Sequence, residues 1–379
     1  MSGPLDGIKV IELGGIGPAP YACMLLADAG ADVIRLERPS DRTDAGDAQS
    51  RLLNRSRPSV GINLRHPDAQ ALVLDLVESA DALIEGFRPG ATERLGLGPT
   101  ECHVRNPKLV YGRMTGWGHE GPLAETPGHD INYIAVSGAL WAIGRKEERP
   151  VPPLNLVGDF GGGGMLMAFG VCAALLEARE SGRGQIVDAA MVDGAASMMA
   201  MIFASQQGGH WIPERGSNVL DSGAHFYEVY ETADHEYFAV GAIEAPFYAD
   251  LLKGLGFQGA ELPDQMDRKQ WPRMKDLFAK TFAMKTQSEW TAIFEGTDAC
   301  ASPVLRTFDA PRHRYNAQRE TYVQRDGMVQ PGPVPRFSRT PGSIRHRSST
   351  TGTDTEEALA AWGIDAERLV GLRECGACV

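Results

Sequence analysis

The first part of the chain alternates short apolar runs with segments of helical periodicity. Residues 8–13 and 32–37 are largely apolar runs that predict strands. Between them, residues 21–29 predict a helix that ends at Gly30. A strand, a tight turn, a helix and a second strand in succession are typical of a βαβ unit, which requires a parallel sheet. We therefore expect an α/β fold.

The same alternation continues to residue 204. Further strands are predicted at residues 82–85, 108–114 and 185–190. Further helices are predicted at residues 67–79, 165–179 and 191–204, and the last of these is rich in methionine. Repeated strand and helix units of this kind predict a large α/β domain over residues 1–204.

The pattern changes after this domain, where the polar and glycine-rich residues 205–223 indicate a linker. Residues 224–310 then predict a smaller α+β domain. Its strand and helices are expected at residues 237–241, 247–254, 271–283 and 288–294. Residues 311–352 are predicted to be a return connection and residues 353–379 to form C-terminal helices, so that residues 325–379 complete the large domain.

The charge balance narrows the class of protein. Lysine and arginine together number 37 and aspartate and glutamate 49, giving a net charge of −12, which disfavours a dedicated nucleic-acid-binding protein. The N-terminus lacks the basic and apolar regions of a signal peptide. The most apolar run, residues 160–176, includes four consecutive glycines and falls short of the length that crosses a bilayer. We expect a soluble cytoplasmic protein without a nucleic-acid or membrane partner.

The turn after the first strand resembles part of a dinucleotide-binding motif. Gly15 and Gly17 lie between strand and helix, and Glu37 ends the next strand. Pro20 stands where the motif has its third glycine, which favours a tight turn without a nicotinamide cofactor. An NAD-dependent dehydrogenase remains an alternative. The sequence lacks the complete motifs of kinases, P-loop NTPases, serine hydrolases and zinc proteases.

A lone C-x-x-C pair ends the chain. Cys375 and Cys378 have the spacing of zinc ligands. A structural zinc site needs four ligands, and the sequence offers no second pair. We therefore predict no metal site.

Three short segments carry side chains suited to proton or acyl transfer. His129 lies in a polar segment, Asp159 follows an apolar run and precedes a glycine-rich helix start, and Glu244 ends an apolar strand pattern. Each residue also has a structural interpretation. His129 could be a hydrogen-bonded core residue, Asp159 a helix N-cap and Glu244 an exposed charge at a strand end.

Arginines are concentrated between residues 35 and 65. The seven are Arg35, Arg38, Arg42, Arg51, Arg55, Arg57 and Arg65, and no lysine accompanies them. Because a guanidinium group binds phosphate through two parallel hydrogen bonds, the cluster indicates a site for a phosphorylated ligand such as a nucleotide or coenzyme A. A solvated surface loop is the alternative.

Taken together, the chain resembles the 2-methylacyl-CoA racemases of the class III CoA-transferase superfamily. The segments that carry the resemblance are residues 7–13, 30–39, 128–133, 154–162, 184–189 and 240–244. The resemblance implies a large Rossmann-like domain, a smaller domain and an interlocked homodimer. The long connections around residues 205–223 and 325–352 suit an interlocked dimer. The resemblance also implies an acyl-CoA substrate.

The resemblance places the CoA contacts at five positions or segments along the chain. The residues implied are Arg38, Ile62, Asn63, Leu64, Arg65, Gly86, Phe87, Arg88, Arg94, Gly128, His129, Asp130, Ile131, Asn132 and Tyr133. The same resemblance makes His129, Asp159 and Glu244 the catalytic residues. Because CoA is part of the substrate, no separate cofactor is implied.

Racemisation beside a thioester carbonyl needs two bases on opposite faces of the α-carbon. We assign Asp159 to one face, and His129, oriented by Glu244, to the other. Backbone N–H groups of Gly161, Gly162, Gly163 and Gly164 are the expected donors to the enolate oxygen. Six methionines could form an apolar surface for the acyl chain, or they could be ordinary core residues. They are Met165, Met167, Met191, Met198, Met199 and Met201.

Two other functions remain open from the sequence. In a CoA-transferase of the same fold, Asp159 would be a nucleophile that forms an acyl-enzyme anhydride. A non-catalytic acyl-CoA-binding protein would hold the ester and leave the α-proton in place. The presence of both His129 and Glu244 favours the racemase, because a transferase does not need a second base.

Overall fold

The computed structural model describes residues 3–39, 52–346 and 349–379 of the chain. Contacts divide the chain into two compact units. The first consists of Met1–Ser137, Leu154–Met198 and Tyr322–Val379, and the second of Gly138–Pro153 and Met199–Thr321. The second unit therefore includes residues 138–153, which the sequence pattern had placed within the large domain.

The first unit is built on a parallel sheet, as the strand and helix alternation predicted. Its strands are β1 (Lys9–Leu13), β2 (Asp32–Glu37), β3 (Ser59–Gly61), β4 (Ala82–Glu85), β5 (Val110–Thr115) and β6 (Ile186–Ala190). Their order is β3-β2-β1-β4-β5-β6, and every neighbouring pair is parallel. The direction of strand addition reverses between β1 and β4. In open α/β sheets ligands bind beyond the carboxyl ends of the strands at such a reversal.

The helices are numbered along the described chain. The earlier ones are α1 (Pro18–Asp28), α2 (Pro67–Ser79), α3 (Ala91–Arg94), α4 (Pro99–Arg105), α5 (Asp130–Val136), α6 (Ala139–Ala142), a π-helix (Leu156–Met165), α7 (Leu166–Ser181), α8 (Met191–Met198) and α9 (Ala200–Gln207). The later ones are α10 (Ala245–Gly254), α11 (Trp271–Phe282), α12 (Gln287–Phe294), a 3₁₀ helix (Ala310–Arg312), α13 (Arg314–Arg319), α14 (Thr355–Ala361) and α15 (Ala366–Glu374).

Both faces of the parallel sheet are covered. Val10 of β1 packs in a cluster with apolar residues of α1 and α7, while its neighbour Ile11 packs in a second cluster with α2, α14 and α15. Successive side chains of a strand point to opposite faces, so one apolar run fills two cores. The C-terminal helices thus complete the core of this unit.

The second unit has an antiparallel sheet and an aromatic core. Strands β7 (Tyr227–Glu231), β8 (Tyr237–Gly241) and β9 (Ala301–Val304) pair in that order. Phe238 of β8 packs with Phe278 and Phe282 of α11 and Trp290 of α12. The predicted mixture of strand and helix in this region is confirmed.

The four consecutive glycines form helix rather than a loose entrance to one. The helix predicted to begin at residue 165 is preceded by the ten-residue π-helix. A Cβ atom placed on Gly194 of α8 would lie 1.9 Å from the carbonyl oxygen of Gly162. The glycines therefore allow two helix backbones to approach closely, and this tertiary packing outweighs the weak helix propensity of glycine.

Two other segments depart from the predicted pattern. The helix predicted over residues 191–204 breaks at Met199, which separates α8 from α9. The connection predicted after residue 311 contains a hairpin of β10 (Tyr322–Arg325) and β11 (Met328–Pro331). Its turn is Asp326-Gly327, and both residues have positive φ angles. An Asp-Gly pair between apolar residues is a recognised hairpin signal that could have revealed it.

The helix that contains the apolar run 160–176 is longer than that run. Leu156–Ser181 is continuous and, by length and composition, sufficient to cross a membrane, so the predicted shortfall is wrong. Only 39% of its most apolar window is buried within the chain. A core helix of a soluble protein passes the same test of length and composition, so the observation identifies an apolar surface and does not identify what covers it.

Candidate active site

The predicted CoA-contacting loops begin where strands of the parallel sheet end. Arg38 follows β2, residues 62–65 follow β3 and residues 86–88 follow β4. Because the strands are parallel, these loops leave the sheet at the same edge, beside the reversal between β1 and β4. The topology therefore brings three of the five predicted contact positions or segments to the edge where doubly wound sheets bind ligands.

The loop after β3 presents alternate side chains to solvent. Asn63 and Arg65 are exposed, and the Asn63 Oδ1 atom accepts the backbone N–H of Arg65 at 3.2 Å. Ile62 and Leu64 are buried in the core. The side chains of Ile62 and Leu64 therefore fill the space between sheet and helices, and the predicted CoA contacts of these two residues remain a prediction for their backbone groups.

A buried carboxylate anchors the loop after β4. Glu85 Oε2 accepts the backbone N–H of Phe87 at 2.7 Å, and Oε1 accepts Arg113 Nε at 3.1 Å. Burial raises the pKa of Glu85, while these two hydrogen bonds lower it. Gly86 and Arg88 beyond this anchor are exposed, as is Arg94 in α3. The sequence reasoning missed Glu85, whose position as the last residue of a buried strand was the available signal.

Three of the seven clustered arginines are engaged in buried ion pairs. Arg57 Nη1 lies 2.8 Å from Glu12 Oε2, and Arg55 Nη2 lies 2.5 Å from Asp28 Oδ2, with all four side chains buried. Arg35, which forms an ion pair with Glu37, is also buried. These three guanidinium groups neutralise buried acids. Arg42 and Arg51 lie outside the described residues.

Two of the arginines that the structure describes keep the predicted role open. Arg38 and Arg65 both present exposed side chains. Each follows a strand of the parallel sheet directly or within four residues. Among the described residues, the phosphate-binding prediction therefore narrows to these two arginines, together with Arg88 and Arg94.

Residues 128–133 form the entry to helix α5. His129 is exposed and immediately precedes the helix, and its backbone N–H donates to Asn132 Oδ1 at 3.0 Å. Asp130 and Tyr133 are buried, with the Tyr133 ring packed edge-on to Trp117 at 4.9 Å. The helix start thus directs His129 outward. Of the predicted CoA contacts here, Ile131 and Asn132 are exposed, Gly128 is half-buried, and the side chains of Asp130 and Tyr133 face the interior.

Asp159 lies in the first turn of the π-helix and is half-buried. The apolar run just before it is not a strand: residues 154–155 form a turn, and Leu156–Met165 is π-helix. Its Oδ2 atom accepts Asn155 Nδ2 at 3.2 Å, and its backbone N–H donates to Asp130 Oδ2 at 2.7 Å. One end of the residue is therefore fixed by an amide and the other by a second carboxylate.

The electrostatic surroundings of Asp159 favour its protonated form. Burial raises the pKa of the Asp159 carboxyl, and the negative charge of Asp130 raises it further. The hydrogen bond from Asn155 and the charge of His129 act in the opposite direction. His129 is thus close enough to act electrostatically on Asp159. A carboxyl whose pKa moves toward neutrality is suited to both giving and taking a proton.

The glycines after Asp159 do not supply free N–H groups as expected. In a π-helix each N–H bonds the carbonyl five residues earlier, so only the first N–H groups lack a partner within the helix. Gly161 to Gly164 lie beyond that first turn. Added Cβ atoms on Gly162 and Gly163 would meet Ala195 N and Met191 Cγ at 2.7 and 2.8 Å. These glycines serve packing.

Glu244 belongs to the second compact unit. Strand β8 ends at Gly241, and Glu244 occupies the position before α10, where its carbonyl accepts the Tyr248 N–H at 2.9 Å. The side chain is exposed. It is therefore placed before a helix and not at the strand end. Its contact with His129 remains a prediction.

Comparison with known proteins identifies the family. The sequence profile of CoA-transferase family III matches residues 5–355. The chain belongs to CoA-transferase family III. It is 44% identical over 371 residues to a Mus musculus protein named alpha-methylacyl-CoA racemase, covering 97% of this chain and 96% of that relative. The Homo sapiens protein of the same name is 43% identical over the same length, with the same coverage of each chain.

A solved structure of a family member supports the fold. The CAIB/BAIF family protein from Brucella suis superposes with a TM-score of 0.84 at 23% identity. The match covers 96% of this chain and 100% of that chain. The fold of this family III protein is therefore similar to that of the Brucella suis protein.

The methionines predicted to line an acyl pocket separate into two groups. Met167 and Met191 are buried in the sheet core, so the core-packing interpretation is correct for them. Met165 and Met198 are about half exposed in the first unit, and Met201 is exposed in the second. The exposed methionines alone keep the acyl-pocket prediction open in this family III protein.

A group of possible metal ligands lies at the start of α2. His66, Asp68 and Cys375 place one possible ligand atom each within 4.8 Å of the others. All three are at least partly exposed, and His66 Nδ1 already accepts the Asp68 N–H at 3.2 Å. Cys378, the other half of the C-x-x-C pair, is buried beside Ile62. The pair therefore does not present two thiols to one exposed site.

Proposed function

We propose that this chain is an alpha-methylacyl-CoA racemase, which interconverts (R)- and (S)-2-methylacyl-CoA esters. The observation that carries the proposal is the placement of His129 and Asp159 at neighbouring helix starts, within electrostatic range of each other. Its 44% identity to a relative of that name supports the same assignment. An isomerase of this kind is our conclusion about the chain's activity.

The proton transfers use both bases. In one direction Asp159 takes the α-proton, and the electron pair of the C–H bond forms an enolate with its charge on the thioester oxygen. Protonated His129 then returns a proton to the opposite face of the carbon, which inverts it. In the other direction the roles exchange, so each residue must function both as base and as acid. Glu244 is assigned to orient the imidazole of His129.

The enolate oxygen requires fixed donors. We assign this role to the first N–H groups of α5, those of Asp130 and Ile131, since the first N–H groups of a helix have no acceptor inside it. They lie next to His129 in the chain, so a substrate that reaches the imidazole is also near them. Hydrogen bonds to a developing oxyanion accelerate such reactions strongly. No metal or redox cofactor enters the scheme.

Exposed arginines account for recognition of the CoA phosphates. We assign the phosphate contacts to Arg38, Arg65, Arg88 and Arg94, which are exposed on or near loops at the carboxyl edge of the sheet. Asn63 and Gly86 are assigned to the same ligand through polar and backbone contacts. The chain as a whole is negatively charged, so a general need for surface charge does not explain this local concentration of arginine. The concentration therefore supports a phosphate-binding role.

A second copy of the chain is the proposed partner. On the helix Leu156–Ser181 the side chains of Leu156, Leu166, Phe169 and Leu176 are exposed, and all of these except Leu166 are more than half exposed. Several large exposed apolar side chains on one helix are typical of a surface covered by another chain. We propose an interlocked homodimer, in which this helix is covered by the partner subunit. Sedimentation analysis should give twice the monomer mass.

The family name supports one competing activity. In a CoA-transferase, Asp159 would attack the thioester carbonyl, the CoA thiolate would leave, and a mixed anhydride would form. That reaction leaves the α-proton in place and requires a carboxylic acid as acceptor. The two schemes therefore differ in the fate of one proton.

Proton NMR in D₂O distinguishes them. Pure protein is incubated with an (S)-2-methylacyl-CoA and no acceptor. The racemase predicts loss of the α-proton signal, collapse of the methyl doublet and appearance of the (R) epimer. Asp6→Asn, an exposed change in the same unit, is the matched control and should behave as the wild type. An unchanged spectrum contradicts the proposal, and acyl transfer after addition of a free carboxylic acid would then favour the transferase.

A further inference from the structure

Asp130 is a buried acid that the proton-transfer scheme does not use. Its side chain is 5% exposed, and its Oδ1 atom has no hydrogen-bond partner among the described residues. Its Oδ2 atom accepts the backbone N–H of Asp159 at 2.7 Å. Buried carboxylates are rare unless they are paired or hydrogen-bonded, so this arrangement requires an explanation.

The packing around Asp130 admits no larger neighbour. A Cβ atom added to Gly158 would lie 2.6 Å from Asp130 Oδ2. Glycine at this position therefore lets the π-helix backbone rest directly on the carboxylate. Asp130 is also the first residue of α5, where the positive end of the helix dipole stabilises a negative charge. The helix start and the Asp159 backbone N–H therefore both face this carboxylate.

We propose that Asp130 is a positioning residue, which holds the Asp159 backbone in place and keeps a second negative charge beside the reacting carboxyl. This inference rests on the proposed racemase activity and deepens it. In the first role, the 2.7 Å hydrogen bond fixes the first turn of the π-helix and hence the direction of the Asp159 side chain. In the second role, Asp130 makes loss of the Asp159 proton harder than burial alone does.

The charged groups around Asp159 determine the expected sign. Among the described residues, Asp130 raises the pKa of Asp159 and His129 lowers it, while the Asn155 hydrogen bond also lowers it. Tyr133, packed between these elements, has its own pKa raised by burial and by the charges of Asp159 and Asp130. Removing the Asp130 charge therefore lowers the pKa of Asp159, and removing the Asn155 amide raises it.

The test is Asp130→Asn, which keeps the size and an oxygen acceptor but removes the charge. The carboxyl ¹³C resonance of Asp159 is followed against pH in protein labelled with [¹³C]aspartate and assigned with Asp159→Asn. We expect the midpoint to fall by about one unit, the size typical of a neighbouring like charge. The acid limb of kcat against pH should move the same way, while KM stays within about twofold.

Asn155→Ala is the matched control with the opposite sign. Its titration midpoint and the acid limb of kcat should move to higher pH. A merely structural role for Asp130 would lower the melting temperature and leave both midpoints unchanged. An unchanged Asp159 midpoint in folded Asp130→Asn protein overturns the proposal.

A measurement on the wild type keeps the inference testable if Asp130→Asn does not fold. The proposal requires Asp130 to be ionised over the pH range in which Asp159 titrates. A second aspartate carboxyl resonance of the wild type, assigned by its loss in Asp130→Glu, should therefore report a carboxylate there. A protonated Asp130 across that range contradicts the proposal. Because the NMR titrations use no substrate, they succeed or fail independently of the racemase assignment.

Discussion

Two regions of the first unit bury acidic side chains, and they differ in the groups that compensate the negative charge. Around β1 and β2, buried Glu12 and Asp28 each meet a guanidinium group, Arg57 and Arg55 respectively. Around the π-helix, Asp130 and Asp159 lie together, and the described charges that act on Asp159 are Asp130 and the exposed His129. The first arrangement neutralises charge and stabilises the fold. The second leaves charge poorly compensated, as expected where a proton must move.

This contrast also separates arginines that a sequence motif groups together. Arg57 and Arg65 are eight positions apart in one arginine-rich segment. Arg57 is 1% exposed and bonded to Glu12, whereas Arg65 is exposed on the loop after β3. Two arginines close in sequence thus differ in role: Arg57 stabilises the core, whereas Arg65 is exposed and is proposed to bind phosphate.

The largest expected effect is at the poorly compensated pair. Asp159→Asn and His129→Gln should each reduce kcat for epimerisation by about 10²–10⁴-fold, the range typical of a lost general acid or base. Binding of the acyl-CoA ester should stay within a few fold, because neither residue is assigned to the phosphates. Steady-state kinetics and calorimetric titration measure the two quantities. An Asp159→Asn enzyme with wild-type kcat would contradict the assignment of Asp159 as a proton-transferring residue.

Loss of the buried ion pair between Arg57 and Glu12 should reduce the stability of the fold. Arg57→Met removes the hydrogen-bonded partner of buried Glu12, which keeps only Arg35 Nε at 3.9 Å, and should lower the free energy of unfolding by about 3–5 kcal/mol. Arg65→Ala, the exposed counterpart, should change stability by less than about 0.5 kcal/mol and weaken CoA-ester binding. Urea unfolding and ligand titration check both. Equal stability of the two variants would show that the buried pair does not have the structural role assigned to it.

Close helix packing next to the site should be the next most sensitive feature. Gly194→Ala would place a methyl group 1.9 Å from the Gly162 carbonyl oxygen and should destabilise the fold by about 3 kcal/mol or more. Gly371→Ala, in the exposed part of α15 with nothing within 4 Å, should stabilise it by about 0.5–1 kcal/mol. Thermal unfolding of the two variants gives the comparison. A tolerated Gly194→Ala change would mean that α8 can move away from the π-helix.

A smaller effect follows from the pH dependence of stability. Because the pKa of Asp159 is raised in the folded state, folding favours its protonated form, and the ionised form destabilises the fold at higher pH. Asp159→Asn should therefore be more stable than the wild type at neutral pH. The difference should shrink as the pH falls through the pKa of the folded-state carboxyl. Unfolding free energies at pH 4 and pH 7.5 measure it, and a difference that grows toward acid would contradict the assigned direction.

Strong local patterns made several elements predictable. β2 at Asp32–Glu37, α2 at Pro67–Ser79 and β8 at Tyr237–Gly241 have the bounds that their apolar periodicity predicts. Each has clear flanking signals, such as Pro67 at the first helical position. The three-residue β3 was missed, because so short a run has no measurable period.

Features that depend on distant partners could not be predicted from the sequence. The π-helix is allowed by the close approach of Gly194, whose position relative to Gly162 is set by the fold. Likewise, Arg57 and Glu12 are 45 residues apart, so nothing local marks Arg57 as buried. For the site, residue types pointed to His129 and Asp159. The interior direction of Asp130, one residue from an exposed histidine, comes from the helix that begins there.

Isotope exchange with separated enantiomers tests the two-base assignment most directly. Asp159→Asn and His129→Gln are each incubated in D₂O with (R)- and with (S)-2-methylacyl-CoA, and the α-proton is followed by NMR. Because each variant keeps one base, we predict exchange of one enantiomer only, without inversion, and the opposite enantiomer for the other variant. Exchange of the same enantiomer by both variants, or inversion by either, would contradict the assignment of Asp159 and His129 to opposite faces.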